Sequence, residues 1–101
     1  MLLAQVLGTV VATRKDRGLL GLKLMLTREL DGTFKPTGNY VVAADAVGAG
    51  TEEVVLLAQG SSARMTEVSR ERPVDAVIVG IVDSVEIDGK DAYLKRAEAA
   101  R

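Results

Sequence analysis

Cysteine, histidine and tryptophan are absent from this chain of 101 residues, and only one phenylalanine and two tyrosines occur. Without cysteine there is no disulfide and no thiolate chemistry. Without histidine there is no imidazole base, metal ligand or proton shuttle. The apolar residues are instead small or branched aliphatic ones, which favour tightly packed strands and argue against a deep aromatic ligand pocket. We therefore expect no enzymatic role, no cofactor and no bound metal.

The chain also lacks an excess of charge of either sign and any long apolar run. Thirteen basic and fourteen acidic residues leave a net charge of -1, so no surface is expected to neutralise nucleic-acid phosphates. No stretch approaches the roughly 20 apolar residues of a membrane span. The N-terminus has neither the basic region nor the cleavage site of a signal peptide. These features predict one cytoplasmic domain with neither nucleic acid nor membrane as a partner.

Five strand-like segments are separated by charged or glycine-containing loops. In the first segment the even-numbered residues, such as Ala4 and Val6, are apolar or glycine, which predicts that the even face points inward. Gly8 lies within that strand, where a bulge or bend is expected. The five segments are residues 2–13, 23–30, 39–45, 53–59 and 75–88. Their number and spacing predict an all-β fold, a small five-stranded OB-like barrel.

The fifth segment is apolar on both faces. Val77, Val79 and Ile81 alternate with Ile78, Gly80 and Val82. A strand that is buried on both faces needs cover on both faces, and a small barrel has only one interior. The simplest cover for the outer face is another subunit, so the pattern predicts an oligomer.

Two short helical pieces are predicted beside the strands. Residues 60–67 form a turn and one helical turn between the fourth and fifth strands, with Ser62 as a plausible N-cap. The alanine-rich end of the chain predicts a short helix over residues 91–101, with Asp91 as its cap. The chain then divides into a barrel domain, residues 1–89, and a C-terminal helical tail, residues 90–101.

The polar residues near strand ends favour structural roles over catalysis. Carboxylates such as Asp45, Asp75 and Asp83 could in principle perform acid–base chemistry, but turn capping or ion pairing between subunits explains them better. Ser61 and Ser62 have no histidine in the chain and no nearby lysine to activate them, so capping again explains them better. The sequence GAG at residues 48–50 lacks the spacing of a phosphate-binding loop, and indicates a tight turn or a close approach between subunits.

Several blocks of the sequence together resemble the EutN/CcmL family of bacterial microcompartment vertex proteins, and the resemblance extends over about residues 1–88. The blocks occur in the order and at the spacing found in that family. They are GTVVATRK (residues 8–15), DAVGAG (45–50), GSSAR (60–64) and RPVDA (72–76) followed by IVD (81–83). The loop around residues 17–21 and the hairpin at residues 31–38 are individual to this chain. The tail beyond residue 88 is longer than in the shortest members of the family and resembles the carboxysomal branch in its tyrosine and mixed charges.

The resemblance implies a non-catalytic shell protein that assembles as a homopentamer. Such pentamers occupy the fivefold vertices of a carboxysome or a metabolic microcompartment, and their partners are the hexameric and trimeric shell proteins that tile its faces. Closed rings follow from heterologous contacts whose rotation closes. The candidate residues for subunit contacts or loop ordering are Asp45, Gly48, Ala49, Gly50, Ser61, Ser62, Arg64, Asp75 and Ile81.

One alternative function remains open for an OB-like barrel: a soluble oligomeric adaptor or a nucleic-acid-binding module. Binding of single-stranded nucleic acid needs stacking aromatic residues and a positively charged groove. Three scattered aromatic residues and nine basic against twelve acidic residues in positions 1–89 provide neither. Composition therefore favours the shell protein over this alternative.

Overall fold

The computed structural model describes residues 1–95 and consists almost entirely of β-structure. Its seven strands are β1 (Leu2–Val10), β2 (Leu24–Leu30), β3 (Pro36–Asp45), β4 (Val54–Gln59), β5 (Ala76–Ile81), β6 (Ser84–Ile87) and β7 (Lys90–Leu94). Two short 3-10 turns lie at Arg17–Leu19 and Gly60–Arg64. None of the helical segments in this part of the chain is long and apolar enough to span a membrane.

The first five strands close into a barrel in the order β1-β2-β3-β5-β4, with β4 returning to β1. Only the short β3–β5 contact is parallel. Ala4 and Val6 on the even face of β1 are fully buried, and the register of β1 against β2 shifts between Val6 and Gly8. The predicted barrel, the inward face and the irregularity at Gly8 are therefore confirmed.

The interior of the barrel is filled mainly by aliphatic side chains from all five strands. One residue comes from outside the strands, since Ala49 from the β3–β4 loop is 1% exposed and packs among them. Among the inward-facing residues of β2, Thr27 is the polar one. Its hydroxyl donates to the Val41 carbonyl at 2.9 Å. The main members of the cluster are Ala4, Val6, Met25, Ala43, Ala49, Val55, Leu57, Ala76 and Ile78.

The outer face of β5 is covered in part by the chain itself. Val77 is fully buried in a cluster with Ala63 and Val74, which come from the segment between β4 and β5. Val82 is 8% exposed in another cluster, beside Leu30. These positions need no second subunit to cover them. The apolar residues on both faces of the fifth segment therefore do not by themselves require an oligomer, although the sequence pattern suggests one. The part of β5 that remains half-buried is Val79, Gly80 and Ile81.

The last part of the described chain differs from its prediction. The long fifth segment stops at Ile81, and a hairpin of β6 and β7 follows, joined by Asp88 (φ 52°) and Gly89 (φ 78°). Residues 91–94 are strand where a helix was predicted, and residues 96–101 of that helix lie outside the described residues. Asp-Gly with two left-handed residues is the preferred two-residue hairpin turn.

Packing explains why residues 91–94 form a strand of a hairpin where the sequence predicted helix. Val85 and Tyr93 face each other across the hairpin. Both pack against the barrel near Leu30, and the ring of Tyr93 stacks on Phe34 with 5.6 Å between centroids. A short isolated helix is marginal, so this burial outweighs the helix propensity of residues 91–94.

Candidate functional site

The loop of residues 47–50, called here the small-residue loop, is organised by the carboxylate of Asp45 at the end of β3. Asp45 Oδ1 accepts from the amides of Val47 and Gly48, each at 3.0 Å, and Oδ2 accepts from the amide of Ala49 at 2.9 Å. One side chain thus satisfies three successive amides. The carboxylate is occupied by the backbone, an arrangement that orders the turn after β3, and a role of Asp45 in subunit contacts stays a prediction.

A second carboxylate holds the other end of this loop. Glu53 Oε1 accepts from the Gly50 amide at 2.5 Å, and Glu53 Oε2 is paired with the ammonium of Lys95. Lys95 and then Gly50 hold the pKa of Glu53 below its usual value, and Glu53 in turn raises the pKa of Lys95. Because these contacts favour the charged forms, the pair stays ionised over a wide pH range.

The three small residues of the loop have different roles. Gly48 has φ 76°, in the left-handed region where glycine is favoured, and its carboxylate-bound amide lies at an exposed position. Ala49 points into the barrel, so its side chain is a core group. At Gly50 an added Cβ would lie 3.2 Å from Glu53 Oε1. The requirement for small residues thus arises within one chain, and any subunit contact of this loop stays a prediction.

The segment between β4 and β5 carries four more of the predicted site residues. Ser61 and Ser62 are exposed in the 3-10 turn. The predicted cap at Ser62 is wrong, because the turn is preceded by Gln59 and has no side-chain cap, while the Ser62 carbonyl accepts from the Met65 amide. The turn closes through a local backbone bond and is fixed by burial of Ala63, so no side-chain cap is required.

Arg64 and Asp75 are both exposed and do not pair with each other within the chain. Arg64 Nη1 donates to the Val74 carbonyl at 3.4 Å, and the Asp75 carbonyl accepts from the Gly60 amide at 2.9 Å. Both residues thus take part in contacts between the two ends of the same segment, and their role in ordering it stays a prediction. Both contacts run through backbone carbonyl groups.

Ordering of this segment also depends on residues that the sequence analysis did not single out. The hydroxyl of Ser69 is fully buried and donates to the Ala63 carbonyl, while its oxygen lies 2.6 Å from Thr66 Oγ1. Arg72 Nη1 donates to the carbonyls of Gly18 and Leu20 in the β1–β2 loop. The Thr-x-x-Ser spacing is a local signal for the first contact, but no sequence signal indicates the second.

The candidate residues therefore fall into two groups. Asp45, Gly48, Ala49 and Gly50 belong to the β3–β4 loop, and Ser61, Ser62, Arg64 and Asp75 belong to the segment between β4 and β5. Ile81 lies apart, half-buried at the end of β5 and packed against the barrel interior. Within residues 1–95 no group of three or more acidic side chains is placed to hold a metal ion. The geometry of both groups is that of ordered surface loops on a rigid barrel.

Known proteins share this sequence and this barrel. The family model "Ethanolamine utilisation protein EutN/carboxysome" matches residues 1–83. The carboxysome shell vertex protein CcmL of Synechocystis is 49% identical over 96 residues, which cover 95% of this chain and 96% of that protein. The solved structure of Gloeobacter violaceus CcmL is 44% identical and covers 95% of this chain and 99% of its own, with a TM-score of 0.91.

A third relative is named for a bacterial microcompartment and not for a carboxysome. GrpN of Rhodospirillum rubrum, a bacterial microcompartment shell vertex protein, is 44% identical over 86 residues, which cover 85% of this chain and 97% of GrpN. Its structure is described as a pentameric microcompartment shell protein and matches with a TM-score of 0.74 over 86% of this chain and 98% of its own.

Barrel, loops and sequence matches together define a protein of the microcompartment-shell class. The family model covers well over half of the chain, and the relatives match along nearly their whole length. The chain belongs to the EutN/CcmL family. The resemblance of the sequence blocks to that family is thereby confirmed.

Proposed function

We propose that this chain is a shell vertex protein of a bacterial microcompartment and that it acts as a homopentamer. The observation that carries the proposal is its 44% identity, along 85% of the chain, to GrpN, whose structure is described as pentameric. The name of the Synechocystis relative assigns it to the vertex of a carboxysome shell. The place of the protein is then the shell itself.

The surface of the barrel is compatible with ring formation. Tyr40 and Val42 project from the same side of β3 and are 65% and 48% exposed, and Val47 in the small-residue loop is 40% exposed. A ring needs two different surfaces that meet head to tail. The small-residue loop, the 60–75 segment and the half-buried end of β5 at Ile81 are the surfaces that we assign to these contacts.

The role of such a pentamer is geometric. A sheet of hexagonal tiles is flat, and fivefold units introduce the curvature that closes it. The partners would be hexameric and trimeric shell proteins, and no catalytic step is required of the vertex itself. The Asp45 carboxylate accepts hydrogen bonds from three backbone amides, which supports a structural role.

Native mass spectrometry of the purified chain tests the ring, with five copies as the expected mass. Co-production with hexameric and trimeric shell proteins then tests the vertex role by electron microscopy. Closed polyhedral shells are expected with this chain, and open or elongated ones without it. A stable monomer at micromolar concentration, or equally closed shells without this chain, would contradict the proposal.

A further inference from the structure

The β6–β7 hairpin and Lys95, together called here the strap, connect the end of the described chain to the small-residue loop. The strap lies on the outside of the barrel, where Val85 and Tyr93 pack against the cluster around Leu30. Its last residue is held in position by a backbone bond, in which the Lys95 amide donates to the Asp83 carbonyl at 2.8 Å. The ammonium of Lys95 is thereby directed to one acceptor, Glu53.

Glu53 is the point at which the strap and the small-residue loop meet. One oxygen of its carboxylate binds Lys95, and the other accepts from the Gly50 amide. A carboxylate bridging a cation and an amide makes charge-assisted hydrogen bonds, which are stronger than neutral ones. The orientation of Glu53 toward Gly50 therefore depends on the presence of the strap.

The other three amides of the small-residue loop do not depend on the strap. Val47, Gly48 and Ala49 all donate to Asp45, which lies two to four residues away on the same stretch of chain. A local contact of this kind forms as soon as the turn forms. Gly50 relies on a partner that is itself held by a residue 42 positions away. The loop thus has one permanent attachment and one that the strap provides.

We propose that the strap controls the conformation of the small-residue loop. It orders the Gly50 end of this loop through two successive contacts, from Lys95 to Glu53 and from Glu53 to Gly50. A ligand or shell component that displaced the strap would loosen this end of the loop and leave the Asp45 end in place. The proposal requires neither a ring nor a shell, so it stands or falls separately from the proposed function.

Hydrogen–deuterium exchange with single-residue resolution tests this coupling in the purified full-length chain. Lys95→Met removes the charge and keeps the aliphatic stem, and Lys90→Met, at the start of β7, is the matched control within the same strap. We expect Lys95→Met to accelerate exchange of the Gly50 amide about two- to fivefold, the range that a partly exposed ion pair can supply. The amides at positions 47–49 should change less, and Lys90→Met should match the parent protein.

A second variant distinguishes an effect transmitted through Glu53 from a general destabilisation of the small-residue loop. Glu53→Gln should accelerate exchange at Gly50 by itself, and adding Lys95→Met to it should have no further effect, because both act through one contact chain. Nuclear Overhauser effects between the rings of Phe34 and Tyr93 report whether the strap stays docked. Unchanged exchange at Gly50 in Lys95→Met, docked or undocked, overturns the proposal. Equal acceleration in Lys90→Met, or additive effects in the double variant, does so as well.

Discussion

The small-residue loop and the segment between β4 and β5 are both ordered surface connections, but different forces hold them. In the loop, two carboxylates accept from four successive amides, and Ala49 is the only deeply buried side chain. In the longer segment, burial of Ala63, Ser69 and Val74 anchors the backbone on β5. The first connection depends mainly on carboxylate–amide hydrogen bonds, and the second combines extensive burial with hydrogen bonds such as that of Ser69. Substitutions should therefore act locally in the first and globally in the second.

The largest effect is expected for Ala63→Leu in the packed segment. Ala63 is fully buried against Val77, so three additional heavy atoms must displace their neighbours. Overpacking of this kind lowers the free energy of unfolding by about 1–3 kcal/mol. Urea denaturation at fixed protein concentration measures it, with Ser62→Leu at an exposed neighbouring position as the control, for which a change within about 0.5 kcal/mol is expected. Equal destabilisation by both variants would contradict the division between packing and charge.

A smaller and local effect is expected for Asp45→Ala in the small-residue loop. Three amides lose their carboxylate, but those of Val47 and Gly48 lie at exposed positions and can bind water. We expect a loss of about 1–2 kcal/mol in the free energy of unfolding, together with faster amide exchange confined to residues 47–49. Asp45→Asn keeps one acceptor oxygen, so its free energy of unfolding should lie between those of the parent protein and Asp45→Ala. Exchange that accelerates evenly throughout the barrel would show that Asp45 contributes to the whole fold.

Gly50→Val should impair assembly more than folding. The added Cβ would lie 3.2 Å from Glu53 Oε1, the end of a side chain that can move, so the cost in folding is expected to stay below about 1 kcal/mol. If the loop contacts a neighbouring subunit, the larger side chain disturbs that contact directly. Native mass spectrometry should then show fewer rings, while Gly32→Val, where nothing lies within 4 Å, should assemble normally. Normal rings in Gly50→Val would remove the loop from the interface.

The smallest effect is the pH dependence of the Glu53–Lys95 pair. The pKa of Glu53 is lowered from 4.5, so its contribution is complete above that value and is lost as the pH falls through the lowered pKa. The pKa of Lys95 is raised from 10.5, so its contribution is complete below that value and is lost as the pH rises through the raised pKa. The difference in melting temperature between the parent and Lys95→Met should be constant from about pH 5 to 10 and shrink outside this range. If this difference in melting temperature changed with pH near neutrality, the stabilisation would have to come from another titratable group.

Strand β1 and the C-terminal segment differ in how well local sequence predicts their structure, for a physical reason. The alternation in β1 predicted which face is buried, since side chains of a strand point to opposite sides with a period of two. The Asp-Gly pair at residues 88–89 was an equally local signal for a hairpin, but the alanine-rich tail was interpreted as a helix. At residues 91–94 the packing of Tyr93 on Phe34, 59 positions away, decides the conformation in favour of a strand. Local patterns predicted structure well wherever distant contacts agreed with them.

The same distinction applies to the candidate residues. The block DAVGAG contains Asp45 and the three amides that it binds, so both partners are visible within a few letters of sequence. The contacts of Glu53 with Lys95 and of Arg72 with Gly18 join residues about 40 to 55 positions apart. No periodicity or local motif encodes such pairs. They arise only when barrel closure brings separate connections together.

The sequence by itself determined the class of fold and, through its ordered blocks, the family of the protein. Alternating small apolar residues require a sheet with a buried face, and a chain of this length can bury that face by closing the sheet. The tertiary structure decided which side of β5 the chain covers for itself, where Ala49 packs, and how the strap reaches the small-residue loop. These outcomes depend on which distant side chains occupy the same space, because packing and long-range hydrogen bonds are set by the closed barrel and not by neighbours in sequence.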